Sequence, residues 1–356
     1  MSIGTKNIIV EKAKTSKIGQ IDFDNLAFGS VFTDHMLICD YKNGSWGIPK
    51  ILPYQPITLE PSAKIFHYGQ SIFEGMKAYK DNNNDIFLFR PLENHKRFNI
   101  SAKRLCIPEI PEEYFMDGLR TLLQLDEAFI PKKEGSSLYV RPFMFASGKG
   151  FHASPADEYK FIIACAPSGS YFSGKVKVLI EETYSRSANG GVGYAKAGGN
   201  YAGQFYPTQL AVAKGYNQVI WTDDTNHEYI EEAGAMNIFV RIKDTLITGP
   251  TSDRILDGIT RKSILDIAKD QGISTEVRKI TVSEVVDAAK NGELMEMFGA
   301  GTAAVISPIS AFGFRGTDYE LPELKHSYGA KLKKIITDIQ YNKSEDKFGW
   351  RYKVTT

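Results

Sequence analysis

Strand-like and helix-like segments alternate along this chain, and they predict a two-domain α/β (α+β) protein. Three observations carry that expectation. The length, 356 residues, exceeds what one small core organises. Runs rich in β-branched and aromatic residues are interleaved with amphipathic stretches of helical period. The segment APSGSYFSGK (166–175) interrupts the pattern with Pro, Gly and Ser. The expected division is a small N-terminal α/β domain over 1–167, a linker over 168–178 and a larger domain over 179–356.

In chain order, FTDHMLICDY (32–41) and DIFLFR (85–90) read as strands, punctuated by the turn NGSWG and the tract DNNND. RPLENHKRFNISAKRL then reads as a helix with Phe98 and Leu105 facing inward. SSLYVRPFMFASG (136–148) and KFIIACAPSG (160–169) are dense enough in β formers to be buried strands. Beyond the break, KVKVLIEE resumes alternation. NQVIWTD, NIFVRIK and TLITG follow as strands, TRKSILDIAKD as a helix after Gly258, and LKKIITDIQ as a helix near the end.

Composition excludes several classes. Forty-two per cent apolar and 24% charged residues describe an ordinary globular chain, and a net charge of +1 offers no footprint for nucleic acid. Cys39, Cys106 and Cys165 are too scattered for a disulfide framework or a zinc site, which fits a reducing, cytoplasmic setting. The start lacks the apolar core of a signal peptide, and no stretch approaches the roughly 20 apolar residues of a membrane helix. The six histidines show no metal-ligand spacing, so no metal is expected.

Chemistry concentrates in GYAKAGGNYAGQFY (193–206), which sets one lysine among glycines. A lysine ammonium has a pKa of about 10.4 in water, and a lysine in a suitable site loses its proton more easily and attacks carbonyls to form a Schiff base. Gly193, Gly198 and Gly199 are expected to let the backbone bend sharply and leave space for a flat ring. From Tyr229 runs YIEEAGAMNIFV, in which a carboxylate enters a tight turn before a buried strand. That is unfavourable unless a cation, such as a protonated pyridine nitrogen, pairs with it. Glu232 takes that part, and Glu231 is expected to be a solvated hairpin charge. The amides of Ile259 and Thr260 after Gly258 suit a phosphate, and a second small-residue turn, 299–304, adds the hydroxyl of Thr302. A Schiff-base lysine, a carboxylate and two anion-binding turns are what pyridoxal phosphate requires.

The ordered set FHYGQSIFEGMKAY, FRPLENHKRF, SLYVRP, YAKAGGNY, EEAGAMNIF, ILDGITRKSIL and FGAGTAAVISP resembles the branched-chain amino acid aminotransferases, which are fold-type IV pyridoxal 5'-phosphate enzymes. The likeness spans nearly the whole chain. It implies a D-amino acid aminotransferase-like fold with the active site between two domains. It also implies that Lys196 carries the cofactor and moves the substrate's α-proton, and that Glu232 keeps the pyridine nitrogen protonated. Tyr201 would hydrogen-bond the ring oxygen and Leu256 would pack on the ring face. Arg97, with the Ile259 and Thr260 amides and Thr302, would hold the phosphate, whereas Arg90 is structural.

The same resemblance implies a pocket that accepts leucine, isoleucine or valine and then 2-oxoglutarate or glutamate. Phe32, Tyr68 and Phe73 would be its apolar wall, Tyr68 coming from the second subunit of a homodimer. Tyr139 and the amides of Thr302 and Ala303 would bind the α-carboxylate, Arg141 the γ-carboxylate, and Tyr171 would act as a lid. Two departures stand out. Ala235 replaces a hydroxyl residue found in many relatives, and the stretch 304–307 carries no cysteine, which removes thiol regulation there. D-amino acid transamination, aminodeoxychorismate lyase activity and cofactor binding without turnover are the alternatives. FEGMKAY and SLYVRP argue against the first two, and Lys196 with Glu232 against the third.

Overall fold

The structure, a computed structural model, describes residues 8–169 and 176–354. Packing divides the chain into two units. The first comprises Met1–Tyr171, Ala195–Gly198 and Asp338–Thr356, the second Phe172–Tyr194 and Gly199–Thr337. Both mix helix and strand.

In the first unit the strand order is Ile9–Val10, Lys50–Pro53, His35–Lys42, Tyr159–Ser168, Ser137–Ala146, Met76–Lys80, Ile86–Phe89 and Arg351–Lys353. Ser71–Phe73 pairs separately with Ser137–Ala146. The long pair Ser137–Ala146 and Tyr159–Ser168 is antiparallel in continuous register, Val140 opposite Cys165. Helices Pro91–Arg104 and Glu112–Leu125 lay Phe98, Phe115 and Leu119 into a core with Leu37, Phe161 and Ile163. In each helix the buried residues recur at three- and four-residue intervals, mostly apolar in Glu112–Leu125 and including Asn94, His95 and Ser101 in Pro91–Arg104, so each encloses one stripe.

The second unit contains a closed ring of six strands. Met236–Ile242, Leu294–Gly301, Val305–Phe314, Val176–Ile180, Gln218–Thr222 and Tyr229–Ala233 follow one another, and the last pairs back to the first. Val176–Ile180 is parallel to both of its neighbours, and the other ring pairings are antiparallel. Closure removes free edges from these strands. Ile220, Ile238, Val240 and Phe312 form the core with Val285 of helix Val282–Lys290.

The expected elements are present, with differences at their ends. One residue at the near end of the expected linker and three at the far end belong to strands, since Tyr159–Ser168 and Val176–Ile180 reach into it. Asp338–Thr356 packs with the first unit, although the sequence placed 179–356 together. Arg351–Lys353 is a strand on Ile86–Phe89, and Val354 is buried in that core, so the chain end serves the sheet it completes. The small-residue turn expected at 299–304 is shorter. Gly299 and Gly301 belong to the strand, where a Cβ on Gly299 would meet Met236 Cε at 2.6 Å, and the turn occupies 302–304. Among the described residues no helix is long and apolar enough to cross a membrane.

Candidate active site

Lys196 is held by its backbone. Its N–H donates to Ser101 Oγ at 2.9 Å, and its carbonyl accepts from the Phe73 N–H at 3.0 Å. The Gly198 N–H donates to the Ser71 carbonyl at 3.1 Å, and Ala197 bridges Ile72, so this short segment runs antiparallel beside Ser71–Phe73. The side chain is half-buried, with Nζ 4.7 Å from the centre of the Phe73 ring. The glycines around it work differently from the expectation. Gly193, Gly198 and Gly199 all avoid positive φ. Gly193 is needed because a Cβ would lie 2.4 Å from the Arg254 carbonyl oxygen, and Gly198 because one would lie 2.7 Å from Ser71 Oγ. At Gly199 a Cβ would meet nothing within 4 Å, so space is open there.

Arg97 projects from the helix that carries Ser101. Its Nε and Nη2 donate to the two oxygens of Glu74 at 2.7 and 2.9 Å. Glu74 is completely buried and also accepts from Asn94 Nδ2 at 2.7 Å and from the Gly75 N–H at 3.2 Å. Burial pushes its carboxyl up, but the Arg97 guanidinium, with Lys196 and Asn94, outweighs that and holds Glu74 below the usual carboxylate range. The stabilisation from this depression is therefore complete above the ordinary carboxylate pKa and is lost as pH falls through the lower folded value. Arg90, expected to be structural, stands at the start of the same helix with φ 52° and its guanidinium over Trp350.

A cavity of about 600 Å³ lies in this unit, lined in part by Phe28, Phe32, Tyr54, Tyr139, Arg141 and Cys165. Strand alternation puts Tyr139, Arg141 and Phe143 on one face. Arg141 Nη2 donates to Tyr139 Oη at 2.9 Å, and the guanidinium stacks 4.6 Å from the Phe73 ring centre. Phe32 stacks on Tyr54 at 4.8 Å, and Phe28 meets Tyr139 edge-on. Phe32, Tyr139 and Arg141 thus come together, and Phe73 joins them through Arg141. Tyr68 does not line this cavity. It is 43% exposed on the helix Lys64–Tyr68, where its hydroxyl donates to the Phe151 carbonyl. Tyr171 lies outside the described residues.

In the second unit Glu232 is buried on the strand Tyr229–Ala233. Its Oε1 accepts from the Leu256 N–H at 2.9 Å and from Asn237 Nδ2 at 3.3 Å, and Oε2 lies 2.7 Å from Arg186 Nε. That Arg186 contact is an ion pair rather than a hydrogen bond, because the N–H direction misses the oxygen. Arg186 Nη1 also holds the carbonyls of Gly193 and Arg254, at 3.2 and 2.7 Å, and so ties down the loop that leads to the lysine segment. Asn237 Nδ2 reaches the Leu256 carbonyl at 2.8 Å, and a Cβ on Gly258 would strike Asn237 Oδ1 at 1.8 Å. This close approach sets the start of the helix Ile259–Asp270, whose first-turn amides Ile259 and Thr260 have no carbonyl a turn before them. Thr302 and Ala303, both half-buried, form the turn after Leu294–Gly301, and Tyr201 sits half-buried in the short helix Gly199–Ala202.

Glu231 corrects the expectation of a solvated charge, being 5% exposed and paired with Arg254. It faces away from Glu232, and enclosure forces it to find a cation there. Burial still outweighs that pairing and pushes the Glu231 carboxyl up, while Arg254, less enclosed, is raised by the same contact. Sequence reasoning missed Glu74, Arg186, Asn237, Phe28 and Tyr54. A signal existed for Glu74, the one acid inside the apolar run IFEGM. None existed for Arg186, whose carboxylate partner Glu232 lies far along the chain.

Taken separately, the first unit holds the Lys196 amine and the buried Arg97 guanidinium, and the second holds the buried Glu232 carboxylate and two amide-bearing turns, which are kinds of group that pyridoxal phosphate requires. The family described as amino-transferase class IV matches residues 71–312, which sets the class of protein. The chain is 42% identical to branched-chain-amino-acid aminotransferase 2 of Bacillus subtilis (strain 168), covering 98% of each chain. Its structure is similar to a branched-chain aminotransferase of Thermoproteus uzoniensis crystallised with norvaline (TM-score 0.74, 25% identity, 90% of this chain and 100% of that one). It is also similar to a branched-chain amino acid aminotransferase from T.th. complexed with N-(5'-phosphopyridoxyl)-L-glutamate (TM-score 0.69, 25% identity, 89% and 98% of the chains). The chain belongs to the branched-chain-amino-acid aminotransferases of class IV.

Proposed function

We propose that this protein binds pyridoxal 5'-phosphate and reversibly transaminates L-leucine, L-isoleucine and L-valine with 2-oxoglutarate, in two alternating half-reactions. The observation that carries the substrate assignment is the cavity that sets Phe28, Phe32 and Tyr54 against Tyr139 and Arg141. It is apolar enough for a branched side chain and has one cation at Arg141. Glutamate then fits the same space if its second carboxylate pairs with that guanidinium.

The cofactor would be held by Lys196, Arg97, Tyr201, Glu232, the Ile259 and Thr260 amides and Thr302, with Leu256 against its ring. When bound, it supplies the electron sink that stabilises negative charge at the substrate's α-carbon. The protein's own groups do the rest. The Lys196 amine takes the α-proton from one carbon and returns it to another, as a general base and then a general acid. Glu232 presents a fixed negative charge to the ring nitrogen. Tyr139 and the Thr302 and Ala303 amides orient the α-carboxylate. Tyr68, exposed in one chain, serves the pocket of a second copy in a homodimer, and Tyr171 closes over it. Composition and cysteine usage support action in the cytoplasm.

Purified protein supplied with L-leucine, 2-oxoglutarate and pyridoxal 5'-phosphate should form L-glutamate. Turnover of D-alanine without turnover of L-leucine would sink the assignment. Arg141→Met should raise the KM for 2-oxoglutarate by roughly tenfold or more, since hydrogen bonds to charged groups are worth about 1.5–3 kcal/mol. The KM for leucine, whose side chain has no charge to pair, should change little. Equal losses for both substrates would remove Arg141 from the γ-carboxylate.

A further inference from the structure

Glu74 has no part in the chemistry above, yet it is completely buried and bound to Arg97, which does. Its carboxylate is bidentate on Arg97, and Oε2 also accepts from Asn94 and the Gly75 amide. Its chain neighbour Phe73 binds the Lys196 carbonyl through its N–H and carries the Lys196 ammonium over its ring. Arg97 stands one helical turn from Ser101, which binds the Lys196 N–H. One strand residue and one helix residue therefore fix the lysine, and the Glu74–Arg97 pair cross-links the same strand connection to the same helix.

We propose that Glu74 is a positioning residue: it locks the Arg97 guanidinium in one orientation and cancels its charge, so that Lys196 lies beside a neutral ion pair instead of a second cation. A buried arginine without that carboxylate would repel the lysine ammonium and attract small anions of any shape. With Glu74 in place, Arg97 offers hydrogen bonds of set direction and little net charge, so what it holds is selected by geometry.

This inference rests on the roles proposed for Lys196 and Arg97, and its test is read on the apoprotein so that the two can fail separately. The rate of Lys196 acylation by acetic anhydride is followed against pH by peptide mass spectrometry. Glu74→Gln turns the neutral pair into a net cation and should move the midpoint down by about one pH unit. Arg97→Met leaves a net anion and should move it up by a similar amount. The double variant Glu74→Gln/Arg97→Met restores neutrality and should return near the wild-type midpoint. A purely structural role predicts no such opposition, so midpoints that stay together, or move the same way, overturn the proposal. Should a single variant fail to fold, Glu74→Asp keeps the charge but withdraws the carboxylate. It should keep the wild-type midpoint and weaken cofactor binding by about tenfold or more in an absorbance titration, and wild-type affinity there would equally overturn it. Failure of the wild-type protein to bind the cofactor would instead sink the functional reading.

Discussion

Lys196→Ala is expected to lower transamination of leucine by roughly 10⁴-fold, the upper range for removing a positioned acid–base group. Loss of covalent attachment to the cofactor adds to the loss of proton transfer. The fold should be little affected. The side chain is only half-buried, and the contacts that place this segment, to Ser101 Oγ and from the Phe73 amide, are made by the backbone and survive the substitution. The test is a leucine assay together with thermal unfolding of the apoprotein. A variant that keeps a substantial fraction of wild-type turnover would show that a different group moves the proton.

Glu232→Gln should act on both catalysis and stability. Removing the fixed charge proposed to face the ring nitrogen is expected to lower kcat by about 10²–10³, the range seen when one preorganised electrostatic partner is lost. The same change leaves Arg186 enclosed without its carboxylate, their side chains being only 2% and 3% exposed. Breaking such a pair from one side costs about 3–5 kcal/mol, which urea unfolding of the apoprotein would measure. Adding Arg186→Met should recover much of the stability and none of the kcat. If both recover together, the catalytic loss came from distortion and Glu232 has no separate electrostatic part.

Much of this site was legible in the sequence because its parts are local. The K-x-G-G run, the acid before a small-residue turn and the glycine before a helix are short patterns whose chemistry is written in neighbouring residues. Backbone period did the same for the strands Ser137–Ala146 and Tyr159–Ser168 and the helix Pro91–Arg104. The misreadings share one cause. Glu231 looked solvated because Arg254, the cation that permits its burial, is 23 residues away. In sequence, Gly193 and Gly198 read as letting the backbone bend and leaving space for a ring, because the Arg254 backbone and the Ser71 hydroxyl that crowd them are far along the chain.

The sequence alone determined which functional groups are present, the secondary structure that carries them and the family they belong to, since residue type and period depend on nearest neighbours. Only the tertiary structure decided how charges pair: Glu74 with Arg97, Glu232 with Arg186, Glu231 with Arg254. It also decided that six strands of the second unit close into a ring and that Arg351–Lys353 joins the first sheet. The reason is physical. The cost of enclosing a charge or a strand edge is set by what lies within a few ångströms in space, and separation along the chain does not report that distance.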